Sequence, residues 1–94
     1  MMKRITKQDI HQLPEDRVFW CGYCGAQEIE SLGHYLGYGH GTYGWNYSLY
    51  EFIVKEDGEL KRYYLVTGYR PTHYGRMLTE EDVARIKRDA VKVY

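Results

Sequence analysis

The sequence predicts an α+β fold: a small antiparallel sheet centred on one β-hairpin, a C-terminal helix packed on one face, and one or two short N-terminal helices. Three observations carry this expectation. Two β-rich runs, about 45–55 and 60–70, flank Asp57-Gly58, a strong hairpin signal because a type I′ turn needs positive φ at both central residues. Residues 79–92 open on Thr79, an N-cap type, followed by Glu80, Glu81 and Asp82 at the positive end of a helix dipole. Eleven tyrosines stand against two phenylalanines, which suits a thin, half-buried sheet because one end of a tyrosine ring tolerates burial and the other prefers water.

The elements follow in order. At 94 residues the chain reads as one domain, 1–94, with room for a modest core. Thr6 caps a short helix reaching Leu13, with Ile10 and Leu13 on one side and Pro14 stopping it. Arg17 to Trp20 is a brief strand. Between Gln27 and Leu36, apolar Ile29, Leu32 and Leu36 recur at spacings of three and four. That predicts a helix of about three turns weakened by Gly33, with a strand as the alternative. The stretch from Gly33 to Asn46, Gly-His-Tyr-Leu-Gly-Tyr-Gly-His-Gly-Thr-Tyr-Gly-Trp-Asn, reads as an aromatic, glycine-rich loop.

A two-residue turn at Asp57-Gly58 sets the whole hairpin register. Glu56 faces Glu59, and counting back puts Phe52 opposite Tyr63, Tyr50 opposite Leu65 and Asn46 opposite Tyr69 on the expected core face. The other face carries Leu49 opposite Val66, Tyr47 opposite Gly68 and Trp45 opposite Arg70, with Glu51 diagonal to Arg62. Both faces are partly apolar, so at least one helix must cover one of them. In the last helix Val83, Ile86, Ala90 and Val93 form the apolar stripe, leaving Arg85, Lys87, Arg88 and Lys92 as a solvated basic face.

Composition excludes several function classes. Thirteen basic and thirteen acidic side chains cancel, so no long-range field gathers the chain onto nucleic acid or an anionic membrane. No apolar run approaches the ~20 residues of a membrane span. The Met-Met-Lys-Arg start leads into polar residues rather than a signal-peptide core. The expectation is a soluble cytoplasmic protein of bacterial or viral type. There is no phosphate-cradling or dinucleotide fingerprint and no Ser-His-Asp order, and capping explains the carboxylates at 80–82. Nothing in the sequence points to an enzyme.

Three constellations remain. Cys21-Gly-Tyr-Cys24-Gly has the form of a zinc knuckle, for which His34 and His40 are the candidate partners. The gap between the Cys and His pairs is shorter than usual, and two reduced thiols with two loop histidines are the alternative. Trp20-Cys-Gly-Tyr-Cys24 also resembles the thioredoxin active site over five residues, without the surrounding strand-helix pattern or the proline-strand context of that fold. The third joins Tyr43-Gly-Trp-Asn46 to Thr67-Gly-Tyr-Arg70, which the hairpin register brings side by side. Trp45 and Arg70 can then stack as a cation–π pair. Either these residues lock the open end of the hairpin, or they form an aromatic platform with His40 or His73 beside it.

Tyr43-Gly-Trp-Asn46, then Thr67-Gly-Tyr-Arg70, preceded by Tyr23-Cys24-x-x-Gln27, resembles a loose group of short bacterial proteins often associated with mobile elements. The resemblance covers the middle half of the chain and implies no activity. It implies that Cys21 is incidental to the shared pattern.

The sequence therefore reads as a non-enzymatic binding module without a cofactor, its surface drawn from Tyr38, His40, Tyr43, Trp45, Arg70 and His73. The expected partner is another protein or a second copy of the chain. The alternatives are a zinc-binding domain using Cys21, Cys24, His34 and His40, and a nucleic-acid contact through Arg85, Arg88 and Lys92.

Overall fold

The computed structural model describes residues 4–21, 27–40, 46–68 and 74–92. Asp57 and Gly58 both take positive φ, 51° and 80°, so the tight turn forms and joins β3 (Asn46–Glu56) to β4 (Glu59–Gly68). Every expected pair within the described residues is present, from Glu56 opposite Glu59 to Tyr47 opposite Gly68. The pairs Asn46–Tyr69 and Trp45–Arg70 lie outside the described residues.

The sheet around the hairpin is mixed, not antiparallel as expected. β1 (Val18–Cys21) lies against β4 and runs parallel to it, and on its other side it runs parallel to the two-residue β5 (Arg76–Met77). β2 (His34–His40) pairs antiparallel with β3, giving the order β2-β3-β4-β1-β5. A four-residue strand carries no signal for the direction of its partner, which depends on the path of the chain between them.

Two further expectations are corrected. The helix expected over 27–36 is a single turn, α2 (Gln27–Glu30), and the chain enters β2 at His34, so the first half of the Gly/Tyr/His segment, His34–His40, is an edge strand rather than a loop. Ile29 is fully buried beneath α2, which accounts for the helical spacing at its start. The C-terminal helix, α3 (Glu80–Asp89), has the expected Thr79 cap but ends early. Ala90 turns to extended φ/ψ, and β6 (Ala90–Val91) pairs with β3, Ala90 opposite Val54 and Val91 opposite Ile53. β2 reaches only to Glu51 on that edge. The free backbone groups of β3 beyond Glu51 take up Ala90 and Val91 instead.

Each face of the sheet has its own cover. Phe52, Val54, Tyr63 and Leu65 pack with Phe19, Ile29 and Ile86, under α2 and α3, as the expected core face. Tyr47, Leu49 and Val66 pack on the opposite face with Val18, Ile5 and Ile10 of α1 (Lys7–His11), whose cap is Thr6 as expected. The sequence asks for at least one helix over one of the two partly apolar faces, and both are covered. A 3₁₀ turn over Glu15–Arg17 follows Pro14 and leads into β1.

Candidate functional site

Parallel β1 and β4 and antiparallel β2 and β3 bring four strand ends, Cys21, His40, Asn46 and Gly68, to one end of the sheet. Register sets Tyr38, Ser48, Thr67 and Cys21 in one row across four strands. Side chains in such a row share a face of the pleat. The row grades from half-buried Tyr38, Ser48 and Thr67 to buried Cys21.

One step further out, exposed His40 and Asn46 oppose each other. His40 Nδ1 lies 2.7 Å from Asn46 Oδ1. A carboxamide oxygen only accepts, so in this contact the ring nitrogen is the donor. The Tyr38 ring meets the His40 ring edge to face, 6.1 Å between centroids at 90°. Phenol, imidazole and carboxamide together offer hydrogen-bond donors, acceptors and ring surface, the chemistry of recognition.

Tyr38 and His40 are thus neighbours on β2. Tyr43 and Trp45 lie in the segment between His40 and Asn46, while Arg70 and His73 follow Gly68 and Cys24 follows Cys21. These five fall outside the described residues, as does the expected Trp45–Arg70 stack. In sequence each of their segments adjoins one of the strand ends gathered here, Cys21, His40, Asn46 or Gly68.

The zinc set requires a correction at His34. His34 pairs with Glu51 and His40 with Asn46, on opposite faces of β3. Six residues of strand separate them by roughly 20 Å. One ion cannot be held by both. Cys21 stands three strands from His40, about 14 Å at ordinary strand spacing, so these two do not form a thiol–imidazole pair. Among the described residues no group of three His, Cys, Asp or Glu stands together as a metal site.

The basic face of α3 is solvated as expected, with Lys87, Arg88 and Lys92 exposed, and carboxylates pair with three of its four bases. Arg85 Nη2 donates to Glu56 Oε2 at 3.3 Å, Lys87 Nζ lies 3.2 Å from Glu28 Oε2, and Arg88 Nε donates to Asp89 Oδ1 at 3.2 Å. Lys92 is exposed. The same Glu56 accepts from the Tyr63 hydroxyl, tying α3 to the hairpin.

Sequence reasoning missed two polar clusters. On the α1 side of the sheet Glu51 lies 3.6 Å from Arg62, the expected diagonal, and also 3.3 Å from His34 Nδ1. The His34 contact was hidden by reading residues 27–36 as helix. On the other face buried Asp82 receives Arg76 Nη2 at 2.6 Å and completes the Thr79 capping box. Arg76 also lies over the Phe19 ring at 4.9 Å. The signal for Asp82 was present in Thr79-x-x-Asp82 itself.

No helix among the described residues is long and apolar enough to cross a membrane. Compared with protein-family models, curated proteins and solved structures, the chain matches none. Its described residues form a small α+β fold with a mixed six-stranded sheet.

Proposed function

We propose that the chain is a non-enzymatic protein-binding module whose contact surface is the sheet end carrying Tyr38, His40 and Asn46, together with Tyr43, Trp45, Arg70 and His73. The observation that carries this reading is the convergence of the four strand ends, so that the segments richest in glycine and aromatic residues all attach at one place. Rigid strands presenting variable connections are the usual way a small domain builds a recognition surface. Aromatic residues with a polar tip are the commonest energetic anchors in such surfaces.

The partner is another protein or a second copy of this chain. A photo-crosslinking residue in place of His40 tests this. It should yield a discrete adduct, either a dimer of the purified chain or a complex with one distinct protein in the native host. The same residue in place of exposed Glu59, at the turn end of the hairpin, should yield none. Equal adducts from both positions, or none from position 40, would contradict the reading.

A further inference from the structure

The face of the sheet under α1 holds an open cleft of about 240 Å³, lined by Ile5, Asp9, Leu13, Leu36 and Leu49. It is separate from the Tyr38–His40 surface, which lies on the other face. The cleft is shaped by an irregularity in β2. A β-bulge between Tyr35 and Gly37 leaves Leu36 as an extra residue before Gly37 resumes pairing opposite Leu49. Bulges commonly re-aim a side chain beside a binding site. Here Leu36 packs with the α1-side cluster, while Gly37 puts no side chain beside Leu49.

Four of the lining residues are aliphatic and the fifth is a carboxylate. Asp9 lies in the first turn of α1, where its Oδ2 accepts from Thr6 N at 2.9 Å. Its charge is felt on the neighbouring core: burial raises the Tyr47 phenol above its ordinary range, and Asp9 is the next cause in the same direction. The Arg4 guanidinium opposes this more weakly. At about 30 Å³ per water-sized group, the space suits a ligand of on the order of six to nine non-hydrogen atoms.

We propose that this cleft binds a small branched aliphatic amine, its hydrocarbon part against Leu13, Leu36 and Leu49 and its ammonium beside Asp9. A carboxylate of the same shape would face Asp9 with like charge, and a neutral analogue would forgo the ion contact.

The test is a titration with 3-methylbutylamine, read by the methyl NMR signals of Ile5, Leu13, Leu36 and Leu49. Saturable shifts in those methyls are expected, with 3-methylbutanol about three- to fivefold weaker, as one partly exposed ion pair allows. The anion 4-methylpentanoate should leave the methyls unmoved. Asp9→Asn keeps an oxygen for the Thr6 N–H and should bring amine and alcohol to equal affinity. Leu36→Phe should fill the cleft and abolish both responses while the rest of the spectrum stays native; should that variant not fold, Asp9→Asn still decides. Silence of the methyls with all three compounds would overturn the site. Equal response to amine and alcohol in the unaltered protein, or binding of the carboxylate, would overturn the assignment of a cationic ligand.

Discussion

Replacing Gly39 by alanine should destabilise the protein by about 2–4 kcal/mol. Gly39 pairs with Tyr47 across β2 and β3, and Tyr47 pairs in turn with Gly68 of β4, so the tyrosine sits in a row between two glycines. A Cβ on residue 39 would stand 2.5 Å from Cζ and Oη of Tyr47 and inside contact distance of the Ile5 carbonyl oxygen. Tyr47 is buried there, and its hydroxyl donates to that same carbonyl at 2.9 Å. Two movements can relieve the clash. The ring swings away and gives up that hydrogen bond, or the N-terminal segment retreats and gives up Ile5 N to Tyr38 O at 2.6 Å. Either loss costs about 1 kcal/mol, and overpacking a fitted site adds about 1–3 kcal/mol. Urea unfolding measures the sum as a lower midpoint with an unchanged slope. Tyr47→Phe, which removes only the hydroxyl, should cost about 1 kcal/mol and separates the two contributions. A loss below about 0.5 kcal/mol for Gly39→Ala would refute the argument that this glycine exists to clear Tyr47.

Gly58→Val should cost about 1 kcal/mol or more in the same assay, since φ at 58 is 80° and a β-branched residue resists it; a few tenths would contradict the tight turn. Tyr50 is pushed up to about 12, first by burial and then by its hydrogen bond to Glu30. Its folded value lies above the ordinary 10.0, so the stability it contributes is complete below pH 10 and is lost as pH rises toward 12. Ultraviolet titration should show a late-ionising tyrosine that Tyr50→Phe removes; complete ionisation of all tyrosines well before pH 12 would contradict this. Metal analysis of the purified chain should find no stoichiometric zinc, because His34 and His40 face opposite sides of the sheet. About one zinc per chain, lost in Cys24→Ser, would instead establish a knuckle.

The hairpin was legible because one dipeptide determines the count: once Asp57-Gly58 makes the turn, Phe52 must meet Tyr63 and Glu51 must lie near Arg62. The start of α3 was legible for the same local reason, Thr79 and Asp82 capping each other. Its end was not, since Ala90 leaves the helix to pair with a stretch of β3 that β2 leaves open, and no feature near Ala90 encodes that vacancy. Ile29, Leu32 and Leu36 gave a true helical signal for one turn and a false one beyond it. Leu32 follows α2, and Leu36 reaches the opposite core through a bulge. The glycines at 37 and 39 looked like loop residues, whereas both lie in β2 and the one at 39 admits Tyr47 from the neighbouring strand. Tyr38 and His40 were legible as candidate contact residues of an aromatic segment, but that they share a face became visible only with β2, because alternate residues of a strand do so. Asn46 as the partner of His40 became visible only with the β2–β3 register.

Thermal unfolding of Tyr38→Ala, His40→Ala and Tyr43→Ala tests most directly whether this end of the sheet is a recognition surface or part of the core. His40 is exposed and Tyr38 half-buried, and truncation of side chains outside a packed core ordinarily costs little folding energy. Each variant should therefore melt within about 8 °C of the unaltered protein, the shift that about 1 kcal/mol produces in a domain of this size. If instead all three unfold far below it, with losses of roughly 2–4 kcal/mol each, the rings are core and the proposed surface is wrong.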